Sequence, residues 1–234
     1  MKTIGLLGGM SWESTLSYYK AINEAVSATL GDLHSAQIVM LSLDFEPIER
    51  LQRSGDWRKA GKLLSAAAAR IEAAGADGLL ICTNTMHCVA AEVQEAINIP
   101  LLHIADATAE VLVSSGVGKV GLLGTAFTME QDFYKGRLTE KYGLEVIVPD
   151  ADDRAQVHQV IYSELCLGKI NPASRASYLR VLDALSSAGA EAVILGCTEI
   201  GLLVSSEDTS VTLLDTTQIH AQKAVVWALS DEPE

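Results

Sequence analysis

Short apolar runs alternate along the chain with longer stretches in which apolar positions recur every three or four residues. The runs predict strands over 3–8, 37–43, 78–82, 101–104, 119–124, 145–148, 192–196 and 211–214. The longer stretches predict helices over 13–30, 57–74, 129–142, 155–167 and 174–188, and a last one over 216–229. Gly31, Gly75, Gly143, Gly168 and Gly189 mark helix stops. Segment 44–53 reads as a loop after the second strand, and the acidic tail 230–234 as disordered. Strand-helix alternation implies parallel sheets covered by helices on both faces.

The pattern also repeats. Ile4-Gly5-Leu6-Leu7-Gly8 returns as Val120-Gly121-Leu122-Leu123-Gly124, an offset of 116. The ten residues from Ala74 to Thr83 return ungapped as Ala188 to Cys197, an offset of 114. Pro100-Leu101-Leu102 matches Thr212-Leu213-Leu214, an offset of 112. Three ordered matches with a slowly drifting offset indicate a duplicated unit. The expected fold class is therefore α/β: two duplicated parallel-sheet lobes, related by a pseudo-twofold axis, with the active site in the cleft between them. The first lobe would comprise 1–103 plus 215–234, the terminal helix crossing back to it, and the second 104–214. The repeat sets Thr83 where Cys197 stands in the other half.

Bulk composition narrows the function. Hydrophobic residues make up 49% and aromatic residues 5%, which suits close-packed α/β layers. The formal net charge of −13 repels phosphate backbones and anionic lipid, so neither nucleic acid nor membrane is an expected partner. An anionic substrate would need a local positive pocket. The four cysteines, Cys82, Cys88, Cys166 and Cys197, contain no Cys-x-x-Cys pair and give no zinc signature. No apolar run reaches the roughly 18 residues of a membrane span, and the glycine-rich N-terminal run lacks a secretory pattern. Free thiols in a reducing cytoplasm are the expectation. Gly5, Gly8 and Gly9 do not spell the dinucleotide fingerprint, and no phosphate-loop, metal-cluster or Ser-His-Asp signature is visible. Chemistry without metal or cofactor is expected.

In parallel α/β sheets ligands gather at the carboxyl ends of strands. The segments there are Gly8-Gly9-Met10-Ser11, 44–53, Thr83-Asn84-Thr85-Met86-His87, Thr125-Ala126-Phe127-Thr128 and Cys197-Thr198-Glu199. A thiol at a strand end that opens toward a helix N-terminus has its thiolate favoured by the backbone N–H groups there. Most free cysteines are buried packing residues. The place of Cys197 after Gly196, and its repeat partner, point instead to function. Asn84-Thr85 can cap the next helix and can also bind a carboxylate. His87 reads equally as an orienting group and as a cap or surface residue. Cys82 lies one residue out of register with Thr83 and points to the other face of its strand. Cys88 and Cys166 fall on helical segments and read as packing residues.

Gly8-Gly9-Met10-Ser11, Cys82-Thr83-Asn84-Thr85-Met86-His87 and Gly196-Cys197-Thr198-Glu199 together resemble the three signatures of the aspartate/glutamate racemase family, and the resemblance covers essentially the whole chain. It implies a cofactor-independent racemase with two α/β domains and the site between them, often dimeric, in which two cysteines act as base and acid on opposite faces of the substrate. The usual first motif is Cys-Asn-Thr, whereas Thr83 stands before Asn84 here. The chain thus resembles an asymmetric bacterial branch with a Thr/Cys pair acting on L-aspartate and L-glutamate. By the same resemblance Cys197 and Thr83 are the catalytic pair, and Met10, Ser11, Gln52, Asn84, Thr85, Thr125, Glu164, Thr198 and Glu199 bind substrate. Segment 44–53 resembles the family's carboxylate-binding loop, with Gln52 the choice and Arg50 or Arg53 as substitutes. Cys166 falls near where archaeal members place a substrate-binding lysine, and Glu164 would meet the ammonium group instead. Glutamate racemases proper carry histidine where this chain has Glu199.

The expected activity is cofactor-independent racemisation of aspartate or glutamate by proton removal and return at Cα, in a homodimer. Two rivals stay open. One is a broad-specificity amino-acid racemase or a related single-cysteine decarboxylase. The other is a two-domain protein that binds a small acid without turnover.

Overall fold

A computed structural model describes residues 1–230; residues 231–234 of the acidic tail lie outside the described residues. The chain divides into two compact units: Met1–Ile104 joined by the chain from His220 onward, and Ala105–Ile219. The first holds a parallel sheet of β1 (Ile4–Gly8), β2 (Ile38–Ser42) and β3 (Gly78–Ile81), in the order β2-β1-β3. The second holds β4 (Lys119–Gly124), β5 (Glu145–Ile147), β6 (Ala192–Gly196) and β7 (Leu213–Asp215), in the order β5-β4-β6-β7, also parallel.

The registers reproduce the sequence repeat. Ile4 pairs with Gly78 on β3, and its repeat equivalent Val120 pairs with Ala192 on β6. Leu79 bridges Leu101, and their equivalents Val193 and Leu213 pair likewise. Each echoed segment thus lies against the same echoed neighbour in both units, and Thr83 and Cys197 come after equivalent strands. The predicted strand over 101–104 is only that bridge. Leu79 N–H donates to Pro100 and Leu102 N–H donates to Leu79 (both 2.9 Å), but the chain enters the helix Ile104–Ser114 at once.

Helix ends obey capping chemistry. The five glycines predicted as stops all have positive φ. At Gly143 and Gly168 the conformation is left-handed, which a side chain would strain. The predicted helix over 129–142 is two, Ala126–Glu130 and Asp132–Tyr142, because Gln131 is extended (φ −85°, ψ 154°). The one predicted over 155–167 begins at Ala151, where Asp150 caps it by accepting from the Asp153 N–H, and ends at Ser163. The supposed loop 44–53 is the helix Phe45–Ser54, with Asp44 accepting from the Glu46 N–H at one end and Gly55 left-handed at the other. The remaining long helices are Trp12–Leu30, Trp57–Ala73, Pro172–Ser187 and Thr216–Leu229. None of the described helices is long and apolar enough to cross a membrane.

β1 is buried on both faces, as a helix-covered parallel strand must be. Leu7, Leu79 and Ile81 face Leu64, Ala67, Ala68 and Ile71 of the helix Trp57–Ala73. Ile4, Leu6, Leu80 and Cys82 face Tyr18, Ile22 and Val26, together with Ala221, Ala224, Val225 and Ala228 of the terminal helix. In the second unit Leu123, Val193 and Leu195 pack with Val157, Ile161, Tyr178, Val181 and Leu185. Each such fully buried aliphatic side chain stabilises by about 1.5–3 kcal/mol relative to exposure.

The terminal helix also carries His220, which is fully buried. Its Nε2 lies 2.7 Å from the Leu102 carbonyl, which can only accept, so Nε2 bears the proton. Nδ1 therefore accepts from the Tyr18 hydroxyl (2.8 Å). Burial, the largest cause, lowers the His220 pKa to about 4, with the Leu102 bond opposing it. Since the folded pKa lies below the ordinary value of about 6.5, this contribution is complete above pH 6.5 and is lost as the pH falls toward 4, amounting to on the order of 3 kcal/mol. His220→Gln should lower stability at pH 7 and flatten its pH dependence between 6.5 and 4. Urea unfolding of both proteins across that window checks it; parallel profiles would show that His220 is not the group being charged.

Candidate functional site

In the first unit β1 ends at Gly8, and Ser11 caps the helix Trp12–Leu30 by accepting from the Ser14 N–H (3.3 Å). Thr15 ties the turn together. Its hydroxyl accepts from the Gly9 N–H and donates to the Ser11 carbonyl, both at 2.8 Å. Gly9 has φ +87°, and a Cβ there would strike the Leu43 backbone, so the turn admits only glycine. Met10 is buried in the cluster that holds Leu7, Ile48 and Met86. Ser11 is buried and serves as a cap.

After β3 come Cys82, Thr83, Asn84, Thr85 and His87, all buried. Cys82 lies in the core with Leu6 and Leu80, and burial alone pushes its thiol far up. The chain here does not start an α-helix. Thr85–Val89 is a 3₁₀ stretch, and Asn84 makes no side-chain cap bond to it. The expected capping role of Asn84 is thus absent, and so short a 3₁₀ stretch lacks the aligned peptide dipoles of an α-helix N-terminus. His87 is neither a cap nor a surface group. The Ile104 N–H donates to its Nε2 (3.3 Å), so its Nδ1 carries the proton and donates to the Thr83 carbonyl (2.8 Å). A neutral His87 therefore holds the Thr83 backbone in place.

The helix Phe45–Ser54 turns Ile48 and Gln52 inward. Gln52 donates to the Met86 sulfur at 3.0 Å, which ties it to the segment that bears Thr83. Arg50 and Arg53 point outward and pair with Glu46 (2.8 Å) and Glu49 (3.7 Å). Among the three alternatives, only Gln52 is buried beside that segment.

In the second unit Thr125 caps the helix Ala126–Glu130 by accepting from the Thr128 N–H (3.3 Å). His158, unnoticed in the sequence, accepts from the Ala126 N–H at Nδ1 (3.1 Å), and burial lowers its pKa. After β6, Cys197, Thr198 and Glu199 are all buried. One Glu199 oxygen receives both the Cys197 thiol (3.0 Å) and the Thr198 hydroxyl (2.8 Å), and the other receives Cys166 (3.8 Å). The expected thiolate is disfavoured in this setting. Burial first, then the Glu199 charge, pushes the Cys197 pKa well above the usual thiol range. The chain continues from Glu199 into the single 3₁₀ turn Ile200–Leu202, too short to offset those two effects by its dipole.

Glu164 is engaged elsewhere. It accepts from Ser174 (2.7 Å) and Asn171 (3.3 Å), binding the start of the helix Pro172–Ser187. Of the two residues considered for that position, Cys166 is the one brought to the Cys197 group. Cys88 is half-buried and its pKa is raised to about 12, mainly by burial. Among the described residues no group of three or more His, Cys, Asp or Glu side chains is disposed to hold a metal ion.

The family model described as Asp/Glu/Hydantoin racemase matches residues 7–224. A crystal structure of a candidate Asp/Glu racemase from Yersinia pestis is similar, with 55% identity and TM-score 0.91 over 98% of this chain and 100% of that one. An aspartate racemase homologue from Pyrococcus horikoshii OT3 shows 37% identity and TM-score 0.84, again over 98% and 100%. The broad specificity amino-acid racemase RacX of Bacillus subtilis (strain 168) is 24% identical over 224 residues, 95% of this chain and 96% of that protein.

The strand-end turn gives a direct test. Thr15→Val keeps the shape of the side chain but removes the acceptor for the Gly9 N–H, so stability should fall by about 1–3 kcal/mol. Thr15→Ser should fall by less. Chemical denaturation ranks the three proteins; equal stability of parent and valine variant would show that Thr15 does not hold the turn.

Proposed function

The chain belongs to the Asp/Glu/hydantoin racemase family and is an isomerase, and from that premise we propose that it racemises aspartate or glutamate without a cofactor, using Cys197 and Thr83 as the two proton-transfer groups. The observation that carries this reading is the equivalence of the two residues: each stands five residues beyond the equivalent strand starts Gly78 and Ala192, on strands paired in the same register. Racemisation needs a group on each face of Cα, and a duplicated unit supplies one from each copy. Two similar structures, at 55% and 37% identity, are described as a candidate Asp/Glu racemase and an aspartate racemase homologue, which supports an acidic substrate.

The α-proton of an amino acid is very weakly acidic, so the charge that moves onto the carboxylate must be met by fixed donors. With a 3₁₀ stretch rather than an α-helix after Thr83, those donors are side chains and single N–H groups around Asn84 and Thr85. Gln52, buried beside Met86, reads the substrate's side chain in this proposal. Cys197 takes the proton from the L-enantiomer, and Thr83 delivers one to the other face, directly or through water. A hydroxyl is a far weaker acid than a thiol, which titrates near roughly 8.5 when unperturbed. Turnover numbers from the two enantiomers should therefore differ, while their kcat/KM ratio stays set by the equilibrium constant of unity. The RacX likeness, which spans nearly the full length of both chains, supports a second reading in which neutral amino acids also turn over.

Proton NMR in deuterated water, with L-aspartate, L-glutamate and several neutral amino acids, tests the reading. Loss of the α-proton signal without loss of carbon dioxide is expected for at least one of the acidic pair. Binding without exchange would favour the non-catalytic alternative. Cys197→Ser should reduce exchange by about 10²–10⁴ or more, whereas Cys88→Ser and Cys166→Ser should retain most activity, as should Cys82→Ser if it folds. Thr83→Cys should raise kcat from the D-enantiomer; an unchanged D-direction kcat in a folded, substrate-binding variant would remove Thr83 from the pair.

A further inference from the structure

We propose that Glu199 is a positioning residue that takes and returns the proton of Cys197, and that it does not bind the substrate. This rests on the racemase reading of Cys197 given above. The geometry is local to one strand end. Glu199 is buried, two residues from Cys197, and the Oε2 that receives the Cys197 thiol at 3.0 Å also receives the Thr198 hydroxyl at 2.8 Å. Cys166, on the 3₁₀ turn Leu165–Leu167, approaches Oε1 at 3.8 Å. A carboxylate receiving three donors of its own unit is committed to them, whereas a substrate ligand has to present its oxygens to the substrate.

The resting state dictates the chemistry. With the thiol proton on sulfur and the carboxylate charged, Cys197 is ready as an acid but not as a base. Proton transfer along the existing hydrogen bond breaks S–H and forms O–H, leaving a thiolate beside a neutral carboxylic acid, with the charge of the pair unchanged. The thiolate then removes the α-proton and becomes a thiol again. The pair has then gained one proton, and the group on the opposite face, having reprotonated Cα, has lost one; exchange with solvent restores both. Run in reverse, the thiol donates to the carbanion and Glu199 hands its proton back to sulfur.

The titratable groups around the pair are Cys166, Tyr178 on the helix Pro172–Ser187 and, beyond Tyr178, Glu164. Tyr178 donates to the Val157 carbonyl (2.9 Å) and burial drives its pKa up, while Glu164 is held by Asn171 and Ser174. Cys166, from this group, and Glu199 itself act on Cys197 by charge, and Glu199 also does so by a hydrogen bond.

The test separates two effects that move in opposite directions. In Glu199→Gln the amide cannot take a proton from sulfur, yet it also removes the negative charge that opposes a thiolate. Turnover should fall by about 100-fold or more with little change in KM. Iodoacetamide should meanwhile alkylate Cys197 about tenfold faster at pH 7, with the midpoint of the rate–pH profile shifted to lower pH. Mass spectrometry of the peptide that bears Cys197 distinguishes it from the other three thiols. Should that variant fail to fold, Thr198→Val removes the competing donor on Oε2, so the alkylation midpoint should move up instead. A raised KM with retained kcat and an unchanged alkylation profile in Glu199→Gln would overturn the proposal, as would an unmoved midpoint in a folded Thr198→Val. The alkylation arm needs no turnover. An absence of α-proton exchange by the parent would sink the racemase reading while the link between Glu199 and Cys197 was still being measured.

Discussion

The register of the central strand in each unit is the constraint on which the rest of the chemistry depends. Ile4 lies on Gly78 and Val120 on Ala192, and the pairings run on without a gap, so Thr83 and Cys197 each stand five residues beyond an equivalently paired position. A slip of one residue would exchange the faces of every side chain on the strand. In the first unit it would turn Leu80 onto the face that Leu79 and Ile81 occupy. The register is held by packing on both faces of β1 and β3, where Leu6 and Leu80 meet one helix layer while Leu7, Leu79 and Ile81 meet another. The position of the segment that follows the strand is thus secured by the burial of aliphatic residues a few positions earlier.

Much of this was legible in the chain because it repeats. The echoes at offsets 116, 114 and 112 pointed to a duplicated unit, and the strands of the two units share one register. The helix Phe45–Ser54 reads as a loop because it spans only ten residues and sets few apolar positions among charged ones, although Phe45, Ile48 and Leu51 recur every three residues and Asp44 and Gly55 bracket it. Gln131 broke a predicted helix without glycine or proline to announce it. Contacts over long sequence distances were not legible at all. Neither the approach of Cys166 to Glu199, 33 residues apart, nor that of Gln52 to Met86, 34 apart, leaves a spacing to read. The thiolate expected at Cys197 failed for a related reason: the sequence showed a strand end, but not that the nearest charge would be a buried carboxylate.

The two strand ends differ in how Thr83 and Cys197 are held. In the first unit the Thr83 carbonyl is gripped by a neutral histidine whose other nitrogen is fixed by the Ile104 N–H, a rigid arrangement with no charge in it. In the second, Cys197 shares its proton with a carboxylate. These are different physical solutions at equivalent positions of a duplicated fold. A hydroxyl has no accessible ionisation near neutral pH, so a charged neighbour would add little to Thr83, and what it needs is orientation. A thiol can ionise, and the energy of doing so depends steeply on the charge beside it. Duplication supplied two equivalent places; with threonine at one and cysteine at the other, electrostatic tuning has a group to act on only at Cys197.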